Sequence, residues 1–408
     1  MRLTLIVVLL FISSLSFSKN IKQGIYRGLL ILDEAKSIEL PFNFEFKYDH
    51  NKPIIIIHNA DERIRVDEIN MHGDSLNFKM PVFDTEFRTK IVKDGLEGVW
   101  INHYRKEKNK IRFKAFFNDS KRFLIDDKKS NPLFEEKWEV NFSPNTSEAS
   151  IAIGIFHHVE QTSLIYGTFL TETGDYRYLE GAQDGNRLLL SCFDGSHAFL
   201  FIAQLDSSQL LNGTFYSGSH WQENWQAKRN ENFELRNANE ITLVKNSRQK
   251  IEFSFLNFEG KPVSLADKKF ENKPVLIQLM GSWCPNCMDE SAYLSPIYKQ
   301  YKDQGFEIIA LAFEKTNNIE VSNKQLNRLK LRFNIEYEIL NTGETGKNKA
   351  SEIFPMLSNI SAFPTLLFLN KKHEIVKVHT GFNGPATANA YDVFKQETET
   401  LIKNLINQ

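Results

Sequence analysis

The chain has 408 residues, enough for two or three domains, and 41% of them are hydrophobic, which supports ordinary packed cores. Fifty Lys and Arg against 51 Asp and Glu leave a formal net charge of −1, so there is no global electrostatic footprint for nucleic acid or for an anionic membrane. Thirty-three phenylalanines suit β-rich packing.

In chain order, Met1 and Arg2 precede an apolar run over 3–17 that ends in Ser16-Phe17-Ser18, small residues at the two positions a signal peptidase reads. The run is short for a membrane span, contains serines and has one basic residue before it, so residues 1–18 read as a cleavable signal peptide and the mature chain starts near Lys19. No cysteine follows the run, which argues against a lipoprotein anchor, and no later segment reaches membrane length. The expected location is the periplasm or the medium. In such an oxidising compartment thiols stay reduced only if electrons are supplied.

From 19 to 235, short runs rich in Phe, Ile, Val and Tyr alternate with polar turns: 26–32, 42–48, 54–58, 63–69, 76–80, 96–103, 111–117, 138–142, 151–156, 165–170, 176–179, 187–193, 198–203 and 213–216. That spacing, with Gly, Asn and Asp punctuation, predicts an all-β antiparallel sandwich or barrel, in one or two subdomains. The basic runs Lys106-Glu107-Lys108-Asn109-Lys110 and Asp127-Lys128-Lys129 fall between strands and read as solvated turns. Adjacent His157 and His158 point to opposite faces of a strand and cannot readily chelate one metal. Cys192 lies in an apolar strand, where a free cysteine packs as a small hydrophobe, although an unpaired third cysteine in an exported protein could also pair with another chain. Three turns gather polar and aromatic residues as a binding surface does: 174–178, 194–197 and 219–221. Turn chemistry alone also accounts for their Gly and Asp.

Residues 229–240 lack strong periodicity, and 236–250 are read as an interdomain linker. From Ile251 the order becomes strand, helix, strand, helix, two strands and a closing helix, an α/β pattern. A continuous apolar run over 306–313 suits a central strand covered on both faces. Gly343-Glu344-Thr345-Gly346-Lys347 lacks the spacing and the following Ser or Thr of a phosphate loop.

Within this region Val275, Leu276, Ile277, Gln278, Leu279 and Met280 lead directly into Gly281-Ser282-Trp283-Cys284-Pro285-Asn286-Cys287-Met288-Asp289-Glu290. A buried strand that delivers a Cys-x-x-Cys pair to the start of a helix is a redox site. At the helix N-terminus the Cys284 thiolate would face unpaired N–H groups and the positive end of the macrodipole, and Cys287 would lie one turn deeper, within reach to close a disulfide. A structural zinc site would need two further ligands at matching spacing, whereas the remaining cysteine, Cys192, is far away.

The Trp-Cys-Pro-Asn-Cys motif, its leading strand and the later Phe363-Pro364-Thr365 resemble the thioredoxin fold, in the exported TlpA/ResA-like branch often labelled redoxin or AhpC/TSA-like, over roughly residues 250–408. The resemblance implies a thiol-disulfide oxidoreductase, most readily a reductase, with protein or small-molecule disulfides as substrates, an unidentified electron donor, and no metal or other cofactor. It also implies that a cis-proline loop at Pro364 faces the dithiol, that Trp283 packs beside it, and that Glu314, with Lys315 competing for the register, is the active-site acid. The interval between Cys287 and Pro364 can hold the extra βα insertion of that branch. Two departures stand out. The dipeptide between the cysteines is Pro-Asn, and Gln278 occupies the place where thioredoxins commonly bury a carboxylate, so a proton acceptor must come from elsewhere. A peroxidatic site is the nearest rival enzyme, but residues 277–284 supply neither the proline nor the hydroxyl it needs. The other rival is a partner-binding envelope protein whose β-rich region, 19–235, carries the main role, with 251–408 servicing the partner.

Overall fold

The computed structural model describes residues 21–125, 132–246 and 249–408. The leader at 1–18, the mature start near Lys19 and the run Asp127-Lys128-Lys129 lie outside the described residues.

Two meanders build the first sheet. Strands Gly24–Asp33, Ile38–Asp49, Lys52–Asn59 and Glu62–Val66 form one, and Glu68–His72, Ser75–Lys79, Thr85–Val92, Gly95–Asn102 and Lys110–Phe117 the other. Antiparallel pairing of Gly24–Asp33 with Lys110–Phe117 joins them into one nine-stranded sheet. Strand 85–92 has no counterpart among the apolar runs, because Arg88 and Lys90 break its outer face while Phe87, Thr89 and Ile91 alternate inward. The run at 63–69 is not one strand: it ends at Val66 and restarts at Glu68.

The second sheet closes on itself. Strands Glu136–Phe142, Ser150–His158, Leu164–Thr171, Leu179–Asp184, Arg187–Phe193, Ala198–Leu205, Leu211–Ser217 and Trp221–Arg229 each pair with the next, and the last pairs with the first. Side chains fill the interior of this eight-stranded barrel. Here they are mainly aromatic, with Phe201 stacked on Phe169 and Phe215 at ring separations of 4.6 and 4.4 Å. Strand 221–229 is too polar to stand out in the sequence because only Trp225 and Ala227 of its residues are buried. The run at 176–179 is corrected: residues 176–178 are not in a strand, and Arg177 takes a φ of 59°.

Strand Arg187–Phe193 shows why some strands read as unbroken apolar runs. Leu188, Leu190 and Cys192 face the barrel interior, while Phe193 faces the first sheet and stacks on Phe42 at 4.6 Å. Both faces are therefore buried. Cys192 is enclosed, which leaves its sulfur to packing.

The C-terminal region holds a seven-stranded sheet whose parallel centre is Val275–Met280, Glu307–Ala312 and Glu338–Asn341. Thr365–Leu369 and Ile375–Thr380 extend it antiparallel on one side, and the short hairpin Phe255–Leu256 and Pro262–Val263 on the other. Four helices accompany it: α1 (Pro285–Tyr301), α2 (Ile319–Phe333), α3 (Gly346–Ile353) and α4 (Asn389–Asn407). Every residue of Val275–Met280 is buried, so the strand is held rigidly up to the turn that carries Cys284. Asn318 caps α2 by accepting the Val321 N–H at 3.1 Å, and Asn334 ends it in the left-handed region that Asn tolerates.

The sheets are not independent. Val82, in the loop between strands Ser75–Lys79 and Thr85–Val92, packs into the C-terminal core, and Arg328 of α2 donates to the Met80 carbonyl at 2.8 Å and to Glu68 at 2.6 Å. Residues 236–246 lie along the C-terminal sheet: Thr380 Oγ1 donates to Thr242 Oγ1 at 2.8 Å, and Val244 bridges to Leu357.

Candidate active site

Cys284 is the N-cap of α1. Pro285 follows it at the first helical position, where a missing N–H costs nothing and φ is already helical, so the sulfur meets the next free amide and accepts the Cys287 N–H at 3.2 Å. Both cysteines are free thiols. Cys284 keeps 7% of its surface exposed and Cys287 none, so one thiol reaches a partner and the other stands behind it. Burial, then the bond to Cys284 and its charge, push the Cys287 thiol well above its usual range.

The Phe363–Pro364 bond is cis, and the Phe363 carbonyl lies 3.5 Å from the Cys284 sulfur, which places the proline loop against the dithiol. Trp283 flanks it, with Nε1 donating to the Phe313 carbonyl at 3.0 Å and the ring edge-on to Phe363. Glu314 is buried at the end of the neighbouring strand. Its two oxygens accept from Ser282 N and Ser282 Oγ, each at 2.8 Å, and burial raises its pKa against those bonds. It thereby fastens the turn that presents Cys284.

A second buried acid was not singled out in the sequence. Glu290 lies one turn beyond Cys287 on α1, fully enclosed, and accepts from Gln278 Nε2 at 2.8 Å. Its other oxygen, Oε1, has no partner among the described residues. Burial drives its pKa well up, only partly offset by Gln278, and its charge also helps to hold the Cys287 thiol up. The carboxylate absent at position 278 is thus supplied from the helix, with Gln278 as its donor. The i, i+3 spacing of Cys287 and Glu290 was the available signal.

The barrel supplies the other wall. All three polar and aromatic turns, 174–178, 194–197 and 219–221, line a cleft of about 960 Å³ that also contains Trp283, Cys284, Pro285, Asn286 and Phe363. Contact is direct at the dipeptide between the cysteines: Arg177 Nη1 donates to the Pro285 carbonyl at 3.2 Å, and Asn286 Nδ2 to the Asp175 carbonyl at 3.2 Å. The approach is close enough that a Cβ on Gly381 would sit 2.7 Å from the Thr173 carbonyl carbon.

Arg177 is the hub of this joint. Fully buried, it pairs with Glu62 of the first sheet, Asp194 of the barrel and Asp289 of α1. One guanidinium cannot neutralise three buried carboxylates. Burial, with Glu62 and Asp194 nearby, accordingly pushes Asp289 up to about 6 despite Arg177. Asp194 is held down to about 2 by His197 and Arg177 although burial opposes it. No group of three or more candidate ligands for a metal occurs among the described residues.

The redoxin family profile matches residues 245–394. The thiol-disulfide oxidoreductase ResA of Halalkalibacterium halodurans is 30% identical over 140 residues, which cover 34% of this chain and 71% of that protein. The chain belongs to the ResA-like thiol-disulfide oxidoreductase family. The family membership rests on a segment of the chain. A ResA from Bacillus thuringiensis subsp. konkukian is 39% identical over 65 residues, 16% of this chain and 36% of the relative. A thiol-disulfide oxidoreductase from Bacteroides fragilis superposes with a TM-score of 0.28 at 18% identity, over 36% of this chain and 99% of that one, too weak a likeness to add to the sequence matches. As in its ResA-like relatives, the chemistry of this thiol-disulfide oxidoreductase is exchange between thiols and disulfides. No helix among the described residues is long and apolar enough to cross a membrane.

Proposed function

We propose that this protein is an exported disulfide reductase in which residues 251–408 carry the Cys284-Pro285-Asn286-Cys287 dithiol, residues 19–235 help to receive the substrate, and 236–250 connect them. The observation that carries the reading is the pairing of a rim-exposed Cys284 at a helix N-terminus with an enclosed Cys287 behind it. The Cys284 thiolate attacks one sulfur of a substrate disulfide, RSSR′. The S–S bond breaks, Cys284 becomes joined to RS, and R′S⁻ leaves and takes a proton. Cys287 then loses its proton and attacks the Cys284 sulfur, releasing RS⁻. Two electrons have passed to the substrate, and an external dithiol must return them before the next cycle.

Glu290 supports the second step. A buried carboxyl with a raised pKa has a proton affinity closer to that of a thiol, and Glu290 stands one turn from Cys287 with an oxygen to spare. Pro364 and Phe363 shape the surface on which an extended disulfide would lie, Trp283 shields the dithiol, and Glu314 positions the Cys284 turn through Ser282. Export through the leader at 1–18 explains why electrons must be supplied from outside the compartment.

Trapping tests the division of labour. Cys287→Ser should accumulate mixed disulfides with its partners, because attack proceeds and resolution does not, while Cys284→Ser should accumulate none. Equal trapping by the two variants rules the assignment out. Removal of hydrogen peroxide no faster than by Cys284→Ser, alongside reduction of insulin with a dithiol supply, separates the reductase from a peroxidase.

A further inference from the structure

The cleft above Cys284 has an uneven balance of partnered and unpartnered charge. Its carboxylates are all committed within the protein. Glu172 accepts from Arg236 at 3.0 Å, Glu223 from Ser143 Oγ at 2.6 Å and Trp221 Nε1 at 3.1 Å, and Asp175 from the backbone of Arg177 and Gly384. Two cations in the same lining form no ion pair with a carboxylate among the described residues. Arg105, half-buried on the loop after the first sheet's Gly95–Asn102 strand, has no side-chain partner among the described residues. Lys315, exposed at the rim, places its ammonium 3.7 Å from the centre of the Trp283 ring and makes no ion pair among the described residues, while both oxygens of the neighbouring Glu314 are turned to Ser282. Each lies close enough to the other for their charges to repel, and Lys347 on the far side of Trp283 adds to the same field.

A cation pair held together without an ion-pair partner is costly unless something anionic enters between them, since a guanidinium that loses water and gains no acceptor is left unsatisfied. The net charge of the molecule, −1, gives no reason for a positive cleft, so the excess is local to the dithiol. His220 in the same lining adds nothing to it: burial, with Arg105 and Lys108, pushes it down to about 4, so it is neutral near pH 7.

We propose that the cleft selects disulfides that carry a carboxylate close to the target sulfur, with Arg105 and Lys315 taking the carboxylate while Cys284 attacks. The proposal rests on the reductase reading and names the substrate class for it. At about 960 Å³ the cleft suits a small molecule or a few residues of an extended chain. A carboxylate can come from either source. In both, a planar fork from Arg105 and a point charge from Lys315 can converge on its two oxygens, and the aromatic wall of Tyr176, Phe199 and Phe215 can receive the apolar remainder.

Single-turnover reduction by the full-length, pre-reduced protein, followed by tryptophan fluorescence, tests this with two matched pairs. One pair is dithiodipropionate and its diamide; the other is a short cystine-looped peptide with Asp beside one cysteine and the same peptide with Asn. The acidic member should react on the order of tenfold faster in at least one pair at low salt, and the pair that discriminates identifies the source. The preference should shrink towards unity in Arg105→Gln and in Lys315→Gln and in high salt. Equal rates for acidic and neutral members in both pairs, or a preference untouched by both substitutions, overturns the proposal. Failure of the wild type to reduce any probe, neutral ones included, overturns the reductase reading and this proposal with it.

Discussion

Glu290 and Cys287 illustrate how burial sets chemistry at a single residue. An exposed carboxylate would be a weak base towards a thiol; enclosed beside Gln278, Glu290 holds its proton more tightly, and the same enclosure raises Cys287. Glu290→Gln keeps an acceptor for Gln278 but cannot take a proton, so resolution of the mixed disulfide should slow by roughly 10²-fold while the first attack is nearly unchanged. Stopped-flow separation of the two steps checks this, and equal slowing of both removes Glu290 from the proton path. The same residue predicts a stability signature. Its folded-state pKa is raised above the unfolded 4.5, so the protonated form contributes stability that is fully present below that value and is lost as pH climbs through the raised pKa. Denaturant melts across that window should decline less steeply in Glu290→Gln than in the wild type.

At the level of elements, the hairpin of residues 172–178 grips the first turn of α1. Arg177 reaches both the Pro285 carbonyl and Asp289 from a residue with positive φ, and this is why 176–178 leave the strand pattern. Arg177→Met would leave Glu62 and Asp289 as largely buried acids without a cation and Asp194 with His197 alone, at a cost of about 3–5 kcal/mol. Urea unfolding should register that loss, together with faster proteolysis between barrel and helix. Charge at the joint also depends on pH. Asp289, raised from 3.8 to about 6, contributes stability that is present below the lower value and lost as pH rises through the higher. Asp289→Asn should therefore flatten the fall in stability between those limits, and an unaltered slope would show that Arg177 keeps Asp289 ionised throughout.

For the whole molecule, the consequence is that the dithiol surface belongs to more than one sheet. The barrel walls one side of the cleft, and Val82 and Arg328 bind the first sheet to the C-terminal core. A fragment beginning at Ile251 would lose the Thr242–Thr380 bond and the Val244–Leu357 bridge as well as the barrel. A fragment beginning at Asn237 keeps both. The longer fragment should melt several degrees higher and reduce a small neutral disulfide, yet lack the full-length protein's selection among trapped partners. Identical partners and yields from Cys287→Ser in the fragment and in the full chain would place recognition outside residues 21–235.

The amino-acid sequence by itself determined the local features. Val275 to Met280 is apolar without interruption because both its faces are covered, and Pro285 immediately after Cys284 starts a helix wherever the chain places it. Most strands of the β-rich region were legible for the same reason, since period-two burial is written in neighbouring residues. Strands 85–92 and 221–229 were not, because their outward faces are charged or polar and one buried face alone breaks an apolar run. What only the tertiary structure decided is what depends on distant partners: closure of the barrel by pairing 136–142 with 221–229, the partnership of Gln278 with Glu290, and the meeting of Arg177 with Glu62, Asp194 and Asp289. The three turns around Cys284 look like ordinary turn chemistry one at a time. They become a cleft because residues more than a hundred positions apart meet across one joint, and sequence spacing carries no information about which distant charges that joint will leave unpaired.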